Sequence, residues 1–263
     1  MTASADKSLF TGTNPITPGN RPALRSFFLD GPAGRLEALL NEGLADAPFA
    51  ALVCHPHPLG GGTMHNKVVY HAAKVFSGMG WPVLRFNFRG TGLSQGEHDG
   101  VAEAEDVRAA LDWLAGTFAR PIVAAGFSFG AAMGLRACST RTDVQGFAAL
   151  GLPTHAEGRD YHYPFLASMR IPKLFLSGDD DEYAPIDQLR AVVASAGEPK
   201  LFVPIHGATH FFAGHLPEMQ AALGGWLHAS YLAGDIAEPG EHSNSANRSS
   251  RATQVHPSES RLP

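Results

Sequence analysis

The apolar run Ile122-Val123-Ala124-Ala125 leads without a break into Gly126-Phe127-Ser128-Phe129-Gly130. This junction constrains the fold more than any other part of the chain. It reads as a buried strand that ends in a sharp turn, with a helix starting at the serine. Glycines on both sides of such a turn allow a tight backbone and let the helix pack close to the strand. The alanine-rich stretch Phe129 to Ala137 supplies the helix. The Ser128 hydroxyl is then held out at the top of a sheet, where a base and a substrate can reach it.

Two later segments repeat the pattern of a strand followed by a functional turn. Lys173 to Ser177 is a short apolar strand, and after Gly178 the chain passes through Asp179, Asp180, Asp181 and Glu182 to Pro185. A helix can begin near Ile186. A carboxylate just past such a strand end lies beside the end of the neighbouring strand, near Ser128. Most of the four acids must be solvated loop or helix-capping residues. The second segment, Leu201 to Ile205, is a strand followed by His206-Gly207-Ala208-Thr209-His210. Imidazole titrates near neutral pH and suits proton removal from a serine. His210 ends the turn and is expected to open the last helix, whereas His206 precedes the turn. The order serine, acid, histidine is the one this geometry requires.

Strands and helices alternate along the middle of the chain. Strands are expected at Ala23 to Leu29, Gly34 to Asn41, Ala50 to His55, Pro82 to Phe88, Pro121 to Phe127, Gly146 to Leu152, Lys173 to Ser177 and Leu201 to Ile205. His65 to Met79 puts Val68, Ala72, Val75, Phe76 and Met79 on one helical face. Val101 to Phe118 does the same with Val101, Ala104, Val107, Leu111, Leu114 and Phe118. Such alternation implies a mostly parallel sheet covered by helices on both faces. No helix separates the first two strands, so they should pair antiparallel at an edge. Residues 1–20 and 235–263 are poor in apolar side chains and cannot offset their ordering entropy, so both are expected to be disordered tails around one domain, 21–234.

These motifs together resemble the α/β-hydrolase superfamily, in particular the small uncapped bacterial type related to dienelactone hydrolases. The resemblance covers about Leu24 to Tyr231. It rests on His55-Pro56-His57-Pro58, Arg89-Gly90-Thr91-Gly92-Leu93-Ser94, the Gly126 to Gly130 turn, Gly-x-x-Asp-x-x-x-Pro and Gly-x-x-His. It implies an eight-stranded, mostly parallel sheet and a Ser-Asp-His triad. The family's spacing, three residues after the glycine and four before the proline, selects Asp181, with Asp180 second. It likewise selects His210, and as oxyanion donors the amides of Phe129 and His57, with Leu59 as the fallback because Pro58 has no N–H. The departure is the nucleophile. Dienelactone hydrolases proper use cysteine and this chain has Ser128, so their substrate does not transfer.

Other features narrow the reading. Gly60-Gly61-Gly62-Thr63 lacks the lysine of a phosphate loop. Gly90 to Gly96 is misspaced for a dinucleotide fingerprint, and Glu97-His98-Asp99-Gly100 delays the helix that would receive a pyrophosphate. That loop is expected to pack below the site, braced by Arg89. His55, His57 and His65 are expected to pack rather than bind metal, since Pro56 disturbs the alternation that would align them. Cys54 and Cys138 read as buried thiols. A net charge of −5, with no Lys/Arg cluster, argues against a nucleic-acid surface. With neither a signal-like nor a membrane-length apolar run, a cytoplasmic protein is the default expectation. Pro153 to Pro172, where this superfamily often inserts a lid, is short. Tyr161, His162, Tyr163, Pro164 and Phe165 are expected to rim an open pocket.

The functional expectation is a serine hydrolase that cleaves small-molecule carboxylic esters through an acyl-enzyme, with no metal or organic cofactor and no nucleic-acid or membrane partner. Thioesters or peptides are rival substrates. A catalytically silent binding module and a histidine-based metallohydrolase are rival classes. The sequence leaves the oligomeric state open.

Overall fold

A computed structural model describes residues 23–156 and 159–232. Both expected tails lie outside the described residues. Ten strands and five helices are laid out in the alternation the sequence suggests: β1 (Leu24–Gly31), β2 (Gly34–Asn41), β3 (Ala50–Cys54), α1 (Lys67–Gly78), β4 (Val83–Phe86), α2 (Glu103–Phe118), β5 (Ile122–Phe127), α3 (Phe129–Cys138), β6 (Val144–Leu150), β7 (His155–Ala156), β8 (Arg159–Asp160), β9 (Lys173–Gly178), α4 (Ile186–Ser195), β10 (Lys200–Ile205) and α5 (Leu216–Tyr231).

Eight strands form one sheet in the order β1-β2-β4-β3-β5-β6-β9-β10. Within it β4, β3, β5, β6, β9 and β10 pair in parallel, and β2 pairs antiparallel with both β1 and β4. The central strands β3, β4, β5 and β9 are buried at every position. That is why they read as mostly apolar runs rather than alternating ones. One face of the sheet packs on α2, α3 and α4 through residues such as Leu111, Leu135 and Leu189. The other packs on α1 and α5 through Val68, Phe76, Met219 and Leu223. The small pair β7–β8 lies outside the main sheet and was not expected from sequence. Two residues per strand leave no alternation to read.

Two expectations are corrected. His210 does not open the last helix: α5 starts at Leu216, and His210 sits in the preceding turn. Pro217 at the second helical position, where its missing N–H costs nothing, fixes the true start. Val101 precedes α2 and is 60% exposed, so it is not part of that helix's core stripe. Asp99 Oδ1 accepts from the amides of Val101 and Ala102, both at 2.7 Å, and forms the turn that delays the helix to Glu103.

Candidate active site

The turn after β5 is as tight as its sequence suggests. A Cβ on Gly126 would lie 2.3 Å from the Gly130 carbonyl oxygen, and one on Gly130 would lie 2.4 Å from that of His55. Only glycine fits either position. Between them Ser128 has φ 55° and ψ −120°, a conformation that costs a non-glycine residue about 1–3 kcal/mol. The surrounding sheet holds it there: the Ser128 amide donates to Leu150 O at 2.9 Å, and the amides of Ala131 and Ala132 donate back to Ser128 O.

Three of the residues singled out from sequence meet at this turn. Ser128 Oγ lies 2.8 Å from His210 Nε2. His210 Nδ1 lies 2.9 Å from both carboxylate oxygens of Asp181. Asp181 also accepts from Ser177 Oγ (3.0 Å) and from the amides of Tyr183 (2.9 Å) and Ala184 (3.2 Å). The other three contacts all donate to Asp181, and an Nδ1–H on His210 completes its set of donors. Nε2 then presents a lone pair to the serine hydroxyl. Asp181 is 3% exposed and His210 2%, while Ser128 is half-buried. The His210 ring is held by Phe127, Tyr183 and Phe211, with ring centres 5.0, 4.6 and 5.2 Å away.

The rival residues go elsewhere. Asp179 accepts from the Gly207 amide (2.7 Å) and pairs with His206 (2.9 Å), whose side chain is fully in solvent. The hydrogen bond raises the pKa of His206 and lowers that of Asp179. Asp180 and Glu182 are exposed.

His57 is half-buried, with its ring 5.0 Å from that of Phe129, the residue after the serine. Its Nδ1 accepts from the Leu59 amide at 3.2 Å, so the fallback oxyanion donor is already engaged. Burial, then the nearby His98 and Arg159 charges, hold the His57 imidazole below its ordinary pKa, against the pull of Glu103. His55 is fully buried. Its Nδ1 donates to Pro56 O (2.7 Å) and its Nε2 accepts from the Phe88 amide (2.9 Å). Both ring nitrogens are therefore engaged, and the Nε2 bond joins the ends of β3 and β4. Among the described residues, no three His, Cys, Asp or Glu side chains are grouped as metal ligands. Cys54 and Cys138 are free and buried.

Arg89 braces the loop after β4: its guanidinium grips Asp106 of α2 with Nη2 2.6 Å from Oδ1 and Nε 3.0 Å from Oδ2. Sequence reading did not find Ser177, which supports Asp181 from within β9, because a serine closing an apolar strand carries no signal. It also missed His98, whose ring lies 4.6 Å from His57 and 5.6 Å from Phe129. Beside Phe129 opens a cavity of about 190 Å³ lined by residues that include Tyr161, His162, Tyr163 and Phe165 but not Ser128, Asp181 or His210.

A mostly parallel sheet of this strand order, with a serine on a strained strand-to-helix turn and a histidine and a carboxylate delivered by later strand ends, defines an α/β-hydrolase architecture. The family model for the alpha/beta hydrolase domain matches residues 50–215, and the chain belongs to that family. An alpha-beta serine hydrolase homologue from Coxiella burnetii is 38% identical, with a TM-score of 0.68 over 76% of this chain and 95% of that one. A lid-less a/b serine hydrolase from Xanthomonas campestris is 31% identical, with a TM-score of 0.70 over 82% and 97%. An uncharacterized protein of Rickettsia prowazekii is 37% identical over 76% of this chain and 87% of its own length. No helix among the described residues is long and apolar enough to cross a membrane.

Proposed function

We propose that this chain is a serine esterase that cleaves carboxylic esters through an acyl-enzyme. The observation that carries the reading is the continuous hydrogen-bonded line from Ser128 Oγ through His210 to buried Asp181. Ser128 Oγ attacks the ester carbonyl carbon as its proton moves to His210 Nε2. Asp181 keeps the imidazole in the required tautomer and stabilises the imidazolium. His210 then protonates the departing alkoxide. Water then attacks the acyl carbon as it gives a proton to His210, and His210 passes that proton to Ser128 Oγ as the acid leaves. The amides of Phe129 and His57 receive the oxyanion. Phe129 opens α3, where a helix leaves its first N–H groups free.

The test is a fluorophosphonate probe and a short-chain aryl ester. The probe should label Ser128, and Ser128→Ala should lose about three or more decades of ester turnover. Label on another residue, or full turnover by the alanine variant, would refute the assignment. Turnover should also survive exhaustive chelation. Loss on chelation with recovery on adding zinc would favour a metallohydrolase instead.

A further inference from the structure

The cavity beside Phe129 has a chemistry that ester cleavage alone does not require. Its walls come from three places: Gly100 and Val101 before α2, Ala132 and Met133 on α3, and the segment from Arg159 to Phe165. Two guanidiniums line it, Arg136 from the last turn of α3 and Arg159 from β8, with the hydroxyl-bearing rings of Tyr161 and Tyr163. No Asp or Glu stands among its described lining residues.

Two other arginines are held by carboxylates, Arg89 by Asp106 and Arg141 by Asp143. Arg159 instead lies with its guanidinium carbon 5.9 Å from the Phe129 ring centre and 6.0 Å from that of Tyr161. It donates to the Gly100 carbonyl across a long 3.3 Å. A guanidinium has five N–H donors in a planar fork suited to carboxylate or phosphate. Among the described residues the partners of Arg159 are neutral, the Gly100 carbonyl and the Tyr161 side chain, and none is a carboxylate.

The cavity lies along α3 from the reacting serine, which is not itself among its lining residues. Ala132 stands one helical turn beyond Ser128, about 6 Å along the axis of α3. Phe129, which follows the serine, forms the contact with Arg159, and the Arg159 charge is felt at His57.

We propose that this cavity is an anion subsite, in which Arg136 and Arg159 hold a carboxylate or phosphate borne by the substrate while its ester group reaches Ser128. This rests on the esterase reading and narrows the substrate class to esters carrying a remote negative charge. The aromatic walls accept the apolar span between the two ends.

Two ester series test it. Mono-p-nitrophenyl esters of dicarboxylic acids, from succinate to suberate, put the charge on the acyl side. Acetyl esters of ω-hydroxy acids put it on the alcohol side. Each is compared with its methyl-capped, uncharged counterpart by kcat/KM at low ionic strength. In one series the charged ester should be preferred by about tenfold or more at a particular chain length, as charge-assisted bonds to arginine allow. That preference should shrink with added salt. It should collapse in the Arg136→Gln/Arg159→Gln double variant and partly return with lysine at both positions. Each variant's own rate on the capped ester is its reference, so a general loss of activity is not misread. Glutarate and inorganic phosphate, compared as competitors of the same reaction, decide which anion the site takes. Equal rates for charged and capped esters in both series would overturn the subsite while leaving the esterase intact. If no ester is turned over, calorimetric titration of Ser128→Ala with the same pairs still decides: tighter binding of the charged members supports the subsite, and equal binding ends it.

Discussion

At the scale of single residues, what separates a functional side chain from its neighbours is burial and who its donors are. Asp179, Asp180 and Asp181 are consecutive in the chain, yet only Asp181 is sequestered and surrounded by donors. Asp179 holds an exposed histidine and a turn amide. Asp181→Asn would put an amide that cannot stabilise the imidazolium where the carboxylate stood. It should cut kcat by several decades, about as steeply as the same change does in other triads. Asp180→Asn should cost on the order of threefold or less, as expected of a screened surface charge. Asp179→Asn should behave likewise and should also bring the pKa of His206 back down. Measuring kcat for the three variants, with the His206 resonance followed by NMR titration, checks both statements. A crippled Asp180→Asn would move the acid by one residue. The spacing in the sequence pointed to Asp181 only through family resemblance. Chemistry alone left four acids in competition, because burial is a property of the turn and the turn is made by contacts 29 residues away, at His210.

At the scale of elements, the central strands are plain in the sequence, because strands covered on both faces are apolar at most positions. The ends were less legible. The helix expected from Val101 begins at Glu103, since Asp99 captures two amides that would otherwise join it. The helix expected from His210 begins six residues later. His210 is instead placed by the turn between β10 and α5, which no periodicity marks. The β4–α2 junction carries a prediction of its own. Arg89 and Asp106 are 7% and 0% exposed and bonded through Nε and Nη2, and Asp106 also accepts from the Arg89 amide at 3.0 Å. Asp106→Asn removes the charge and leaves a buried guanidinium without its counterion. Losing one partner of such a pair typically costs about 3–5 kcal/mol. Urea unfolding should show a loss of that order. A loss below about 1 kcal/mol would mean that water reaches Arg89 and the brace is not dry. The turn around Ser128 should be less forgiving still, since in Gly130→Ala the new methyl group meets backbone rather than a side chain that could move.

At the scale of the whole molecule, the candidate site exists only when β5, β9 and β10 are in register, because each contributes one residue just past its end. Conditions that loosen the sheet should therefore abolish the hydrogen-bonded line, and acid is the condition whose cause can be named. His55 is buried without a countercharge, and its two nitrogens are already committed in the neutral form, so desolvation lowers its pKa to about 3. In the unfolded chain the same imidazole titrates at about 6.5. Above that pH both states hold the neutral ring, and His55 contributes no pH dependence. As the pH falls from 6.5 towards 3, the unfolded chain gains a proton that the folded one refuses. Stability is then lost at up to about 1.4 kcal/mol per pH unit. His206 works in the opposite direction: its pKa is raised in the fold, so its pairing with Asp179 is fully made only in acid. It is completely exposed, however, and a screened surface pair cannot offset a buried group. Urea midpoints at pH 7, 6 and 5 should therefore fall steadily for the native sequence. His55→Leu should start lower at pH 7, having lost the link between β3 and β4, and should then fall less steeply over the same range. Parallel curves would show that His55 takes up its proton in the folded state and that acid acts elsewhere.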